Sequence, residues 1–248
     1  MSEPAAVPYS SFLESETVVL KASESGRHLR IHRGLLNLKG GHILHAFEAA
    51  LGGEKCEICV FQTTSESTLV RFIEWAYTGD YPAKISPRRA GPRAPQQDCD
   101  ESKEPCVHIQ QLAMIIDPDT DESLANHSLL AHVHLYIFAR AYAIPGLRRL
   151  ALEKAMATLR DLDQPITLRD RLAVMAALHA SSTKLLRNDP FLEWIAQYAA
   201  YNIEHLRALG AFELLLVKRP QLGASIFWKI LAGGQAPWQG VPSTDGSA

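Results

Sequence analysis

The sequence predicts an α+β protein in which helices predominate and a small sheet of short strands lies near the N-terminus. Residues 17–32 contain two short alternating segments around a turn, a pattern typical of a β-hairpin. From residue 63 onward, apolar residues recur at helical spacing, first over residues 63–81 and again over residues 129–159. The 248 residues are 47% hydrophobic and 21% charged, which is enough apolar material for a sizeable core.

Short elements precede the first long helix. Residues 17–22 and 27–32 predict the two strands of the hairpin. Residues 33–36 predict a helical turn, and residues 42–51 predict a second short helix with its apolar residues on one face. Residues 58–61 predict a short buried strand. We therefore expect a hairpin, two short helices and a third strand, in that order.

The segment 63–81 predicts an amphipathic helix at the centre of the core. Its apolar residues follow the i, i+3, i+4, i+7 spacing of a helix with one buried face, at Leu69, Phe72, Ile73 and Ala76. Trp75 and Tyr77 widen the apolar stripe, so the helix is expected to have neighbours on more than one side.

The ends of this helix are also predicted. Thr63 with Glu66 three residues later has the pattern of a capping box, and Thr64 and Ser65 are alternative N-caps. Gly79 is expected to end the helix, because a left-handed residue is common at that position.

The second half of the sequence predicts helices throughout. Residues 129–159 predict two helices that meet at Ala143-Ile144-Pro145, with Pro145 as the first residue of the second helix. Further helical patterns occupy residues 167–179, 190–209, 212–217 and 226–231.

Three segments predict no packed structure. Residues 1–11 and 232–248 are rich in Pro, Ser, Ala or Gly and are expected to be disordered. Residues 82–127 contain several prolines up to Pro105 and a basic half followed by an acidic half, which predicts a solvated surface loop, and residues 107–116 could add an edge strand or a short helix. A localisation or docking segment is the alternative interpretation of this loop.

Two of these blocks, together with residues near the hairpin, resemble the BTB/POZ family. Residues 69–81 resemble its third helix, which commonly closes on an aromatic-Thr-Gly sequence, and residues 136–147 resemble the turn between its fourth and fifth helices in fungal members. The residues that carry the resemblance are His32, Leu35, Leu69, Phe72, Trp75, Tyr77, Gly79, Tyr136, Ala139, Tyr142, Pro145 and Leu147.

The resemblance implies a domain organisation. It covers residues 12–158, with the loop 82–127 inserted, and implies a small sheet flanked by about five helices. Residues 159–231 would then form an all-α C-terminal extension, as in many fungal BTB proteins. One departure is the sequence Lys39-Gly40-Gly41-His42, which replaces the usual Ser-x-aromatic-Phe.

Candidate sites for chemistry are weak. Cys56 and Cys59 have the spacing of a zinc-ligand pair, and Cys99 and Cys106 with His108 could complete a site, but buried or incidental cysteines are the favoured interpretation. His132 and His134 stand at i and i+2, which on a helix directs two rings apart. Nucleophile-elbow, P-loop and dinucleotide motifs are absent from the sequence. We therefore expect no enzyme activity, cofactor, metal or small-molecule substrate.

The expected function is protein binding. A BTB/POZ fold implies a non-enzymatic protein–protein interaction module that acts as an oligomerising scaffold or as an adaptor. Its expected partners are other proteins, a second copy of the chain in a homodimer, or a cullin scaffold. The alternatives are a substrate adaptor of a cullin-based ubiquitin ligase and a transcription-associated nuclear scaffold. Candidate partner-binding residues are Asp80, Tyr81, Arg88 and Arg89, although the hydrophobic-x-Glu motif that often follows the third helix in cullin-binding members is absent.

Composition bears on location and on other partners. The net charge of −2 gives no general attraction to nucleic acid, so direct nucleic-acid binding is not expected. No apolar run reaches the length of a membrane span, and the N-terminus lacks a secretion signal. Four cysteines without such a signal favour a reducing compartment, so we expect an intracellular protein, cytoplasmic or nuclear, without membrane contact.

Overall fold

The structure is a computed structural model that describes residue 12, residues 14–85, residue 124 and residues 127–239. Within this part of the chain helices predominate and three strands form one sheet, which confirms the mainly helical α+β class. The predictions of disorder for residues 1–11 and 240–248 lie outside the described residues. So does most of the predicted loop 82–127, including Arg88 and Arg89.

The chain divides into two compact units. The first unit comprises Met1–Pro82 and His134–Glu153, and the second comprises Ala83–Val133 and Lys154–Ala248. The first unit contains the sheet, and the described part of the second contains helices.

The sheet of the first unit has the strand order β2-β1-β3. β1 (Thr17–Lys21) pairs antiparallel with β2 (Leu29–His32), which confirms the predicted hairpin. β3 (Ile58–Val60) pairs parallel with β1. Alternate side chains of the hairpin are buried, as expected for a sheet with one face on the core, namely Val18, Leu20, Leu29 and Ile31.

Short helices connect β2 to β3, and longer helices complete the first unit. The connection contains α1 (Arg33–Lys39) and α2 (Ile43–Ala50), both close to their predicted positions. α3 (Glu66–Thr78) is the predicted central helix. α4 (Ser128–Ala141) and α5 (Pro145–Leu162) are the predicted helical pair, and Pro145 begins the second of them as expected. The division between the units falls within α4 and α5.

The N-terminus of α3 differs from the expected capping box. Ser65, one of the alternative caps, is the N-cap, and its hydroxyl oxygen accepts a hydrogen bond of 3.3 Å from the Thr68 main-chain N–H. Glu66 is already the first helical residue, and its carboxylate lies 3.6 Å from the Arg27 guanidinium. At the other end, Gly79 has a φ of 81° and donates its N–H to Trp75 O, so the predicted stop is confirmed.

The second unit contains α6 (Leu168–Lys184), α7 (Pro190–Tyr201), α8 (Ile203–Leu206), α9 (Gly210–Lys218) and α10 (Pro220–Leu231). The single helix expected over residues 190–209 is interrupted at Asn202, whose side-chain amide donates to Asp163 O at 2.9 Å. α10 begins earlier than the pattern indicates, because Pro220 takes the first helical turn.

The segment after α10 also differs from expectation. The sequence predicts disorder from residue 232, whereas part of residues 232–239 packs within the second unit, with Ala236 fully buried. The Trp238 ring lies 6.1 Å from Trp194, 6.2 Å from Tyr198 and 5.8 Å from Tyr201, measured between ring centroids. These ring contacts hold the segment in place, although its composition is typical of a loop.

Candidate interaction surface

The residues that carry the family resemblance all belong to the first unit, and some of them contact the helices that meet at Pro145. The Phe72 ring of α3 lies 5.2 Å from the Phe138 ring of α4. Gly146, in the first turn of α5, approaches the Trp75 ring so closely that a Cβ there would lie 3.4 Å from it. α3 therefore packs against both helices that meet at Pro145.

A cluster of aromatic rings joins the third strand's end to α4. Phe61 follows β3, and its ring centroid lies 5.7 Å from that of Phe138 and 5.5 Å from that of Tyr142. Phe47 of α2 lies 5.1 Å from Phe61 on another side. Ring pairs at these distances add to the free energy gained by burial alone.

His32 and Tyr77, which are 45 residues apart, are joined by hydrogen bonds. The His32 main-chain N–H donates to the Tyr77 hydroxyl oxygen at 3.2 Å, and the His32 Nδ1 lies 2.6 Å from the same oxygen. The tyrosine hydroxyl can therefore accept from the main chain and donate to the ring. This contact fixes the end of β2 against the last turn of α3.

The departure from the family pattern at residues 39–42 has a structural reason. Gly41 has a φ of +59°, and a Cβ there would lie 2.4 Å from Tyr142 O. The next residue, His42, donates its main-chain N–H to the same oxygen at 2.9 Å. A glycine is required here because the main chain passes so close to the end of α4.

Two arginines whose roles no sequence pattern indicates bind main-chain oxygens in the first unit. Arg71 is 1% exposed and donates from Nε to Pro82 O at 3.1 Å and from Nη1 to Ser67 O at 3.2 Å. Arg33 donates to the Glu48 carboxylate at 2.8 Å and to Cys56 O. The hydrogen bond from Arg33 lowers the pKa of Glu48.

The burial of Arg71 is not expected from the sequence. An arginine in a helix is normally assigned to the face that contacts solvent. The only signal that could have revealed it is its place beside the apolar stripe, between Leu69 and Phe72. Its partner at Pro82 lies beyond the helix end, where periodicity carries no information.

The turn after α3 contains two of the predicted partner-binding residues, and only one is on the surface. Asp80 is exposed, and its Oδ1 accepts from the Tyr81 N–H at 2.8 Å. Tyr81 is 2% exposed, and burial raises its pKa. The assignment of Tyr81 to a docking surface is therefore wrong, because its aromatic ring belongs to the core. Arg88 and Arg89 lie outside the described residues.

The edges of the sheet are a second region, besides Asp80, where the first unit could contact a partner. Within the described residues, β2 and β3 each have a neighbouring strand on one side only. Ile58 of β3 is 50% exposed, and Leu38 and Leu51 of the same unit are exposed to a similar extent. A strand edge with an exposed apolar side chain can pair with another strand.

The cysteine and histidine candidates do not form a metal centre in the described part of the chain. Cys56 and Cys59 are both buried, and their Sγ atoms lie 3.2 Å apart. Burial raises the pKa of the Cys59 thiol, with the neighbouring thiol acting in the same direction. The described residues contain no cluster of three or more His, Cys, Asp or Glu side chains suited to a metal ion. Cys99, Cys106 and His108 lie outside them.

His132 and His134 do not face each other. His132 is buried, whereas His134 is exposed, as the i, i+2 spacing on a helix predicts. Among the helices described, none combines the length and apolar character needed to span a bilayer.

Comparisons with protein-family models, with curated proteins and with solved structures found no match for this chain.

Proposed function

We propose that this chain is a non-enzymatic protein–protein interaction module of the BTB/POZ type, which acts as an oligomerising scaffold or adaptor. The proposal is carried by one observation. α3, which ends in Tyr77-Thr78-Gly79, packs against the two helices that meet at Pro145. The resemblance requires this juxtaposition of segments that are separated by more than 40 residues of sequence.

Two further contacts support the proposal. The hydrogen bonds between His32 and Tyr77 connect residues from two separate parts of the family pattern. The sheet order β2-β1-β3, with two short helices between β2 and β3, agrees with the element order that the resemblance implies. Buried thiols at Cys56 and Cys59 without a disulfide suit the intracellular location, cytoplasmic or nuclear, that belongs to this proposal.

Self-association is the first test. Sedimentation velocity of the purified chain over a wide concentration range should show a dimer, because the exposed strand edge at Ile58 can pair with a second copy. Ile58→Lys should shift the equilibrium to monomer, since a charge on an edge strand opposes pairing. Leu214→Lys, in a half-exposed position of the second unit, is the matched control and should leave the dimer unchanged.

The exposure of Asp80 directly after α3 keeps a cullin adaptor as a second candidate function. Co-precipitation with the N-terminal region of a cullin tests it. Asp80→Lys should abolish binding, whereas Glu54→Lys, also exposed in the first unit, should not. Tyr81 is unsuitable for this test because its replacement would disturb the core. A chain that is monomeric at every concentration and does not bind the cullin region would contradict the proposed function.

A further inference from the structure

The second unit contains a cavity of about 480 Å³ where the end of α6, the start of α7 and the junction between α9 and α10 come together. Its volume lies within the range of sites that hold a small ligand or a few side chains, roughly 300–1,000 Å³. Three leucines line it: Leu185 and Leu222 are buried, and Leu192 is half-buried. The cavity therefore offers an apolar surface to whatever enters it.

The charged groups around this cavity are mostly cationic. Arg187, Lys218 and Arg219 line it. The carboxylate in the lining belongs to Glu193, and it lies 3.0 Å from the Lys229 ammonium, which offsets its charge. Arg219 is held in place by a hydrogen bond of 2.9 Å to the Thr183 hydroxyl.

The helix dipole of α10 adds to the positive potential in the cavity. The first residues of α10 line the cavity, and its first turn contains no acidic residue to offset the positive end of the helix dipole. The nearby His179 responds to the same cations: its pKa is lowered by burial and, beyond that, by Arg219 and Lys218.

We propose that this cavity binds an acidic peptide segment of a partner protein, with a carboxylate at Arg187 and Lys218 and a neighbouring apolar side chain on the leucines. The charge favours an anionic ligand, and the leucines favour one that also carries an apolar group. A free phosphate or a nucleic-acid backbone would leave the apolar surface uncovered. This site lies in the second unit, and it does not depend on the function proposed for the first.

Fluorescence anisotropy with the full chain tests this proposal. The probes are three fluorescein-labelled peptides in which Glu alternates with Leu, Ile or Phe. At least one of these peptides should bind saturably. Replacing its Glu residues with Gln, or its apolar residues with Ser, should each weaken binding about tenfold. A charge-assisted hydrogen bond or a buried side chain contributes about that factor.

Variants locate the binding. Lys218→Glu and Arg187→Glu should each weaken the best peptide by about tenfold or more, whereas Arg160→Glu, an exposed arginine of α5 that does not line the cavity, should not. Circular dichroism and thermal melting should show that all three variants fold like the parent. Equal binding of the Glu-Ser peptide, no loss in either cavity variant, or no saturable binding of any probe would overturn the proposal. Sedimentation remains a separate readout for the first unit.

Discussion

Arginine side chains satisfy main-chain oxygens inside the first unit, whereas in the second unit Arg171 does so near the surface and the interior relies on aromatic rings and neutral side chains. In the first unit, Arg71 binds Pro82 O and Arg33 binds Cys56 O. In the second unit, Trp194, Tyr198 and Trp238 cluster, and the main-chain Asp163 O accepts from the neutral Asn202 amide.

The two units also differ in the apolar surface that they expose. The first unit has three large, substantially exposed apolar side chains among its described residues, Leu38, Leu51 and Ile58. The second unit has more of them, namely Ile166, Leu168, Leu186, Leu214, Val217, Phe227, Trp228, Ile230 and Leu231. A buried tryptophan in the first unit, Trp75, and an exposed one in the second, Trp228, allow the stability contributions of a buried and an exposed apolar side chain to be compared.

Trp75→Ala should have the largest effect on stability. Trp75 is 7% exposed, and its ring lies beside Phe72 and Gly146 in the first unit. Loss of a large buried side chain removes its transfer free energy and leaves a cavity, so the free energy of unfolding should fall by about 3–5 kcal/mol. Urea denaturation followed by circular dichroism measures it.

Trp228→Ala is the matched control for this prediction. Trp228 is 68% exposed on α10, so the same substitution should change the free energy of unfolding by less than about 0.5 kcal/mol. If Trp75→Ala costs under about 1 kcal/mol, α3 does not pack against α4 and α5, and the proposed function loses the contact that supports it.

Arg71→Met should be the next most destabilising change. Methionine keeps much of the volume but leaves Pro82 O without its donor, and an unsatisfied buried carbonyl costs about 1–3 kcal/mol, whereas Ser67 O keeps its main-chain hydrogen bond within the helix. We expect a loss of about 1–3 kcal/mol in the free energy of unfolding. Arg30→Met, at an exposed position of β2, should have little effect. Equal losses in the two variants would mean that the buried hydrogen bonds of Arg71 do not stabilise the first unit.

Trp238→Ala tests the aromatic cluster of the second unit. Trp238 is half-buried, and its ring meets three others, so its removal should cost about 1–2 kcal/mol, less than Trp75. Tryptophan fluorescence and urea denaturation measure the effect. A loss below about 0.5 kcal/mol would restore the expectation, drawn from composition, that the chain is disordered from residue 232.

The sequence predicts the elements of the first unit well because their signals are local. The hairpin alternates around its turn, α3 has a periodic stripe and a terminal Gly79, and Pro145 opens α5. These local signals do not predict individual contacts between residues far apart in the chain. Neither Arg71 at Pro82 nor the close approach of Gly41 to Tyr142 has a local signature.

The candidate surface is less predictable than the fold. Asp80 and Tyr81 are adjacent and both follow the helix stop, yet one is exposed and the other is buried. The cationic cavity of the second unit gathers Arg187 and Lys218 from segments about 30 residues apart, which no spacing rule connects. Long-range packing decides both cases.

The smallest expected effect concerns pH and the second unit. His127 is buried, and its Nε2 lies 3.3 Å from the Asp170 carboxylate, while its Nδ1 accepts from the Leu129 N–H at 3.3 Å. Burial, together with the charges of Arg169 and Lys84, lowers the pKa of His127 more than Asp170 raises it. The folded chain therefore binds this proton less readily than the unfolded chain, whose histidine pKa is about 6.5. The contribution of neutral His127 to the free energy of unfolding is therefore present above about pH 6.5, and it is lost as the pH falls through the folded-state pKa.

His127→Gln removes the titrating group. When the pH is lowered from about 7.5 to about 5.5, the free energy of unfolding of this variant should therefore fall less than that of the parent chain. His28→Gln, at an exposed position of the first unit, should keep the parental pH dependence. Urea denaturation at the two pH values gives both slopes. If the His127 variant loses as much stability on acidification as the parent, His127 is not the group that makes the second unit sensitive to acid. His179 would then be the group to replace, because its pKa is also lowered by burial and by Arg219 and Lys218.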